Sequence, residues 1–149
     1  EARGIHMATC IGPTEAALAA FGALDQAAPI ACLNLLAFRE RAAYAADDPE
    51  HGTAAAEVTG AEAYDRYGTV ALGIITAVGG RVLLGAGVEQ MFIGPAEAEW
   101  ERAVLVFYPS RAAFAQMLAR DDYRAAGRHR IAGLANTRLI MLDGRAFAS

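Results

Sequence analysis

Residues 60 to 90 constrain the fold of this chain most. From Ala61 to Val78, the positions Tyr64, Tyr67, Ala71, Ile74, Ile75 and Val78 recur at three- and four-residue steps, the period that gathers apolar side chains on one side of a helix. The other side carries Glu62, Asp65, Arg66 and Thr69, with Glu62 and Arg66 spaced i,i+4 as an exposed ion pair would be. Gly79 and Gly80 then supply the backbone freedom a helix end needs. Arg81 to Ile93 follows with β-branched residues and no helical period, so a helix hands over to a strand.

A chain of 149 residues is long enough to bury a core without disulfide or metal staples, and one domain over residues 8–149 is expected. Glu1 to His6, ending in His-Met, reads as a tag or cloning remnant with Met7 the native start, so residues 1–7 are set apart. Much of the 55% hydrophobic content is Ala, and core volume must come from fewer large side chains. The net charge is -4 and all 13 basic residues are Arg, with no long cationic run; nucleic acid is not an expected partner. Cys10 and Cys32 form no CxxC pair, which fits a reducing cytoplasm and suggests no disulfide framework. No apolar run reaches the ~18–20 residues of a membrane span.

Elsewhere the pattern is alternately helical and extended. Pro13-Thr14-Glu15 opens a short helix to Leu24, with Thr14 its N-cap, as an extension before the core. Ile30 to Phe38 reads as a central strand whose one polar residue is Asn34, on the face of Cys32 and Phe38. Residues 40–60 lack any period and form the longest candidate loop, a length that is usually functional or mobile. A Pro-containing turn over 94–99 leads into a second hairpin strand, Arg102 to Tyr108. Ser110 caps the next helix, Asp121 or Asp122 caps another, and Thr137 to Leu142 is the last strand. The order is βαββαβ after an N-terminal helix, an α+β ferredoxin-like arrangement. One sheet face would stay apolar and uncovered, so a homodimer joined through the sheets is expected.

Several segments then resemble a known family. Asn34-Leu35-Leu36-Ala37-Phe38-Arg39, Ala63-Tyr64-Asp65-Arg66-Tyr67-Gly68, Gly79-Gly80-Arg81, Val88-Glu89, Trp100-Glu101-Arg102, Tyr108-Pro109-Ser110-Arg111 and Asp122-Tyr123-Arg124-Ala125-Ala126, with His129-Arg130, are similar in order and spacing to the domain-of-unknown-function 1330 family. The resemblance covers roughly Pro29 to Leu142 and implies a dimeric α+β barrel. That superfamily also holds cofactor-free monooxygenases and muconolactone isomerase-like enzymes, but the likeness brings no reaction with it. Glu40 to Thr59 departs from the shortest members, as a lid or as surface decoration.

Candidate residues follow from helical and strand phase. Tyr64 and Tyr67 lie one turn apart, as proton donors at a pocket or as amphipathic core residues. His129 is the usual kind of general base near neutral pH, yet on a helix from Tyr123 to Leu134 it falls off the inward side while Arg130 falls on it, unless Gly127 breaks the helix. Arg130 there needs a carboxylate such as Glu89 or Glu101, backbone carbonyls, or an anionic ligand. Glu89 and Arg81 share strand parity, as a charged cavity or a solvated edge strand would give; Asn34, as a binding group or a satisfied buried amide, and Arg39, as a binding group or simply the strand's end, are the first strand's candidates. Metal-ligand spacing and a phosphate-binding glycine loop are lacking, so no metal or cofactor is expected. Two readings stay open: a cofactor-independent isomerase, cyclase or monooxygenase acting on a small organic molecule, and a non-catalytic dimeric module binding a ligand or partner.

Overall fold

The computed structural model describes residues 8–95 and 100–148; residues 1–7, expected to be a remnant, and most of the turn expected over 94–99 lie outside the described residues. Helix α1 (Glu15–Ala23) is followed by β1 (Ile30–Phe38), α2 (Gly60–Ala77), β2 (Arg81–Gly87), β3 (Arg102–Tyr108), α3 (Arg111–Ala119), α4 (Asp121–Gly133) and β4 (Leu134–Asp143). The strands form one sheet in the order β2-β3-β1-β4, with every pair antiparallel. This is the ferredoxin-like α+β arrangement, its second helical connection divided between α3 and α4.

Strand β1 is apolar almost throughout because it lies second from one edge and is covered on both faces at its start. Ile30 and Cys32 join Val106 and Tyr108 of β3 in a core closed by Ala71, Ile74 and Ile75 of α2 and by Phe114 and Met117 of α3. On the opposite face Ala31 and Phe107 are buried, where a C-terminal 3-10 turn, Gly144–Phe147, packs against β1 and β3. Beyond that turn the face is open and apolar: Leu33, Leu35 and Leu105 are half-buried, and Leu84, Ile140 and Leu142 are 46%, 45% and 39% exposed.

Two glycines set the approach of α2 to α4. A Cβ on Gly60 would stand 2.1 Å from the Arg39 carbonyl and 2.6 Å from the Gly133 carbonyl, and one on Gly133 would stand 2.3 Å from the Gly60 carbonyl. Arg39 N–H donates to the Gly133 carbonyl and Gly60 N–H donates to the Arg39 carbonyl. The end of β1, the start of α2 and the end of α4 therefore meet backbone to backbone. Arg39, expected at a binding site, serves here through its main chain and its side chain is exposed.

Local details differ from the sequence expectations in instructive ways. Strand β2 stops at Gly87 rather than continuing to Ile93, and its pairing with β3 shifts register between Val82 and Leu84. Glu62 forms a capping box with Thr59 at the start of α2 instead of pairing with Arg66. Neither Asp121 nor Asp122 is the N-cap of α4, because the helix already starts at Asp121 with Arg120 in the cap position; Asp122 accepts Arg120 Nε and Nη2 at 3.0 and 2.9 Å and the Tyr123 N–H at 2.9 Å. Gly127 leaves α4 unbroken.

Gly60→Ala should lower the free energy of unfolding by ~1–3 kcal/mol or more, because backbone atoms have no rotamer with which to yield. Gly73→Ala is the control within the same helix: its Cβ meets nothing within 4 Å, and the loss of glycine's chain entropy should raise stability by roughly 0.5–1 kcal/mol. Urea unfolding midpoints of the two variants, shifted in opposite directions, test the packing argument.

Candidate functional site

Between the helices and the sheet lies a cavity of about 760 Å³. Asn34, Val104 and Val106 form its sheet wall, Tyr64 and Tyr67 come from α2, and Tyr123 and Arg130 come from α4. Gly68 and Gly127 also line it, and a Cβ built on either meets nothing within 4 Å; the space is there because these two helical positions carry no side chain. Phe114, Met117 and Leu118 of α3 line it too, and a further wall is the N-terminal segment from Cys10 through Phe21. That segment is fastened at its ends, where Thr137 N–H donates to the Cys10 carbonyl and the Phe21 ring sits 5.7 Å from Phe114. Helix α1 has no fully buried residue of its own, so it covers the cavity and reaches the core only through half-buried Phe21.

The phenols form a chain. Tyr64 and Tyr67 rings lie 5.3 Å apart, Tyr67 and Tyr123 rings 5.9 Å apart, and the Tyr67 and Tyr123 hydroxyls share a hydrogen bond of 2.8 Å. Burial pushes the Tyr64 hydroxyl up to about 12 although the Arg130 charge pulls it down, and burial raises Tyr67 and Tyr108 as well. These groups stay protonated at neutral pH, so each has a hydrogen to donate and none is a base. Cys32 is likewise pushed up to about 12 by burial, which leaves a thiol and no thiolate nucleophile. Asn34 donates through Nδ2 to the Cys32 and Val104 carbonyls at 3.2 and 3.3 Å. Its Oδ1 accepts nothing among the described residues.

The cavity's cations are unequally occupied. Arg102 pairs with Asp65 at 2.7 Å while its guanidinium lies 4.8 Å over the Phe38 ring. Arg130 lines the cavity half-buried and has neither an ion pair nor a side-chain hydrogen bond among the described residues. Neither carboxylate expected to neutralise it does so: Glu101 accepts the Phe38 N–H, and Glu89 is exposed beyond the end of β2.

With that geometry in place, comparison with known proteins settles the family. The family model described as a domain of unknown function, DUF1330, matches residues 53–145. The chain belongs to the DUF1330 family. A protein of unknown function from Rhodopseudomonas palustris is 39% identical, with 91% of this chain and 97% of that chain covered and a TM-score of 0.80. The methylated form of the same protein is also 39% identical, covering 92% of this chain and 96% of that one with a TM-score of 0.81. No curated protein matches this chain.

Of the residues singled out from the sequence, Asn34, Tyr64, Tyr67 and Arg130 come together in the cavity of this DUF1330 protein, and Arg39, Arg81, Glu89 and His129 do not. The register shift in β2 puts Arg81 opposite Phe107, on the other sheet face, where its guanidinium lies 4.5 Å over the Phe107 ring and donates to the Phe147 carbonyl. His129 points into a polar cluster outside the cavity. Arg66 Nη1 donates to the Tyr44 hydroxyl at 3.0 Å, which leaves that hydroxyl's hydrogen for His129 Nδ1 at 2.7 Å. Arg66 also reaches Glu50 at 2.9 Å, and Arg128 reaches Asp48 at 2.9 Å and Glu50 at 3.4 Å.

This cluster straps the 40–59 segment to α2 and α4, helped by Ala43 N–H to the Ala132 carbonyl and a small core of Tyr44, Ala63 and Ala132. The sequence shows the acids Asp48 and Glu50 in the 40–59 segment but not the arginines they meet, which lie 16 to 80 residues away. The cavity wall from Cys10 to Phe21 had no such signal, since a short alanine-rich amphipathic helix does not say what it covers. Among the described residues, no group of three or more His, Cys, Asp or Glu could hold a metal ion, and no helix is long and apolar enough to cross a membrane.

Burial, followed by the nearby Arg128 charge, holds His129 below the ordinary imidazole value. The folded state therefore binds fewer protons than the unfolded chain below about pH 6.5, and the stability from this contact is lost as pH falls through the folded value. Unfolding free energy measured from pH 7.5 to 5 should decline, and His129→Gln should flatten that decline. An unchanged slope in the variant would remove His129 from the strap.

Proposed function

We propose that this DUF1330 protein binds a small organic molecule with an apolar body in the cavity between helices and sheet. The observation that carries the reading is a wall of Val104, Val106, Ala71 and Ile75 held open at Gly68 and Gly127, with tyrosine hydroxyls and the Asn34 carbonyl at fixed points on it. Apolar walls with a few convergent polar groups are the usual composition of ligand sites. As a cofactor-independent enzyme of isomerase, cyclase or monooxygenase type, the protein would use Tyr64 or Tyr67 to donate a hydrogen bond or proton to a developing oxyanion. As a non-catalytic module it would use the same groups for orientation alone.

The second part of the reading is a homodimer. The open sheet face, with Leu84, Ile140 and Leu142 exposed beside Leu33, Leu35 and Leu105, is a contiguous apolar surface of the kind that marks an interface. Two copies meeting through it would give the dimeric α+β barrel.

Nile red, a neutral apolar dye, should become fluorescent on binding the native protein, and Gly68→Phe should weaken that binding by about tenfold or more by filling the space. Equal binding by a folded Gly68→Phe protein would place the dye elsewhere. For the dimer, light scattering at micromolar concentration should give twice the chain mass, and Ile140→Asp should shift it toward the monomer. A monomer mass for the native chain would overturn the interface.

A further inference from the structure

The charge inside the cavity runs against the charge of the chain. The whole sequence carries -4, yet the cavity is lined by Arg102, Arg124, Arg130 and Arg138 and by one carboxylate, Asp65. Most of these cations are engaged. Arg102 is neutralised by Asp65, exposed Arg124 donates Nε to the Leu118 carbonyl, and Arg138 donates to the Asn136 side chain and to the Thr137 and Ala8 carbonyls. Arg130 alone among them has no partner among the described residues.

The fold also decides what stands next to Arg130. Gly60 and Gly133 bring α2 and α4 into backbone contact, and Tyr67 meets Tyr123 further along, so the helices run antiparallel. Tyr64 lies one turn after Gly60 and Arg130 lies about one turn before Gly133. The two are therefore neighbours across the helix pair, and the Arg130 charge acts on the Tyr64 hydroxyl. Among the described residues that hydroxyl has no hydrogen-bond partner either. A half-buried guanidinium and an unused phenol donor thus offer N–H and O–H groups to the same cavity, and no described residue accepts them.

We propose that the ligand is an organic monocarboxylate, its carboxylate held between the Arg130 guanidinium and the Tyr64 hydroxyl and its apolar body lying against Val104 and Val106. A single unpaired guanidinium matches a single negative charge, and its planar fork matches the two oxygens of a carboxylate. This rests on the cavity being a ligand site, as proposed above.

Phenylacetate and phenylacetamide differ in charge and hardly in shape, which makes them suitable probes by calorimetric titration. The native protein should bind phenylacetate about tenfold or more tightly than the amide, and Arg130→Gln should bring the ratio to about one. Tyr64→Phe should reduce the ratio by a smaller factor, and Arg130→Lys, which keeps the charge without the fork, should retain part of it. Should Arg130→Gln fail to fold, the Lys variant together with the native ratio decides the question. Equal affinity of the native protein for acid and amide, with Nile red still bound, overturns the carboxylate assignment and leaves the cavity reading standing. If neither phenyl compound nor Nile red binds, the cavity reading falls and the carboxylate with it.

Discussion

The contact between Gly60 and Gly133 is the constraint on which the rest of the structure depends. A peptide group on α2 lies against one on α4, with the Arg39 backbone bonded to both. Nothing with a side chain fits at either position. Because the contact fixes the two helices to each other and to the end of β1, it also fixes which of their residues face one another further along. Tyr64 beside Arg130, and Tyr67 against Tyr123, follow from that one close approach.

Helix α4 shows how much chemistry three consecutive residues can divide. At 100° per residue, Arg128 and His129 turn toward the 40–59 strap while Arg130 turns toward the cavity. Asp48 and Glu50 neutralise the strap's two arginines, Arg66 and Arg128, so the polar cluster is electrically closed. The cavity is not. One side of the helix is a finished structural contact and the other keeps a charge in reserve.

How much of this was legible in the sequence follows the same physics. The central helix stood out by its long, unbroken period, and the strands Ile30–Phe38 and Arg102–Tyr108 as short apolar runs, the first after Pro29 and the second ended by Pro109. The phase argument that turned Arg130 inward and His129 away needed only helical geometry, and Gly127 did not disturb it. Strand phase was less dependable: one register shift after Val82 moved Arg81 to the far face, and the early end of β2 left Glu89 outside the sheet. Partners distant in sequence were out of reach. Arg66 lies four residues from Glu62 but binds Glu50 and Tyr44, because the capping box already holds Glu62.

The N-terminal segment also bears on solubility. Strand β4 is at the edge of the sheet, and a bare edge is a row of unmet donors and acceptors that another chain can extend. Here Thr137 N–H is met by the Cys10 carbonyl, Cys10 N–H by the Asn136 side chain, and the Arg138 guanidinium by the Ala8 carbonyl. A few residues thus stand at the Thr137 end of this edge, where a foreign strand would otherwise pair, and the same segment that walls the cavity covers that end of the sheet edge.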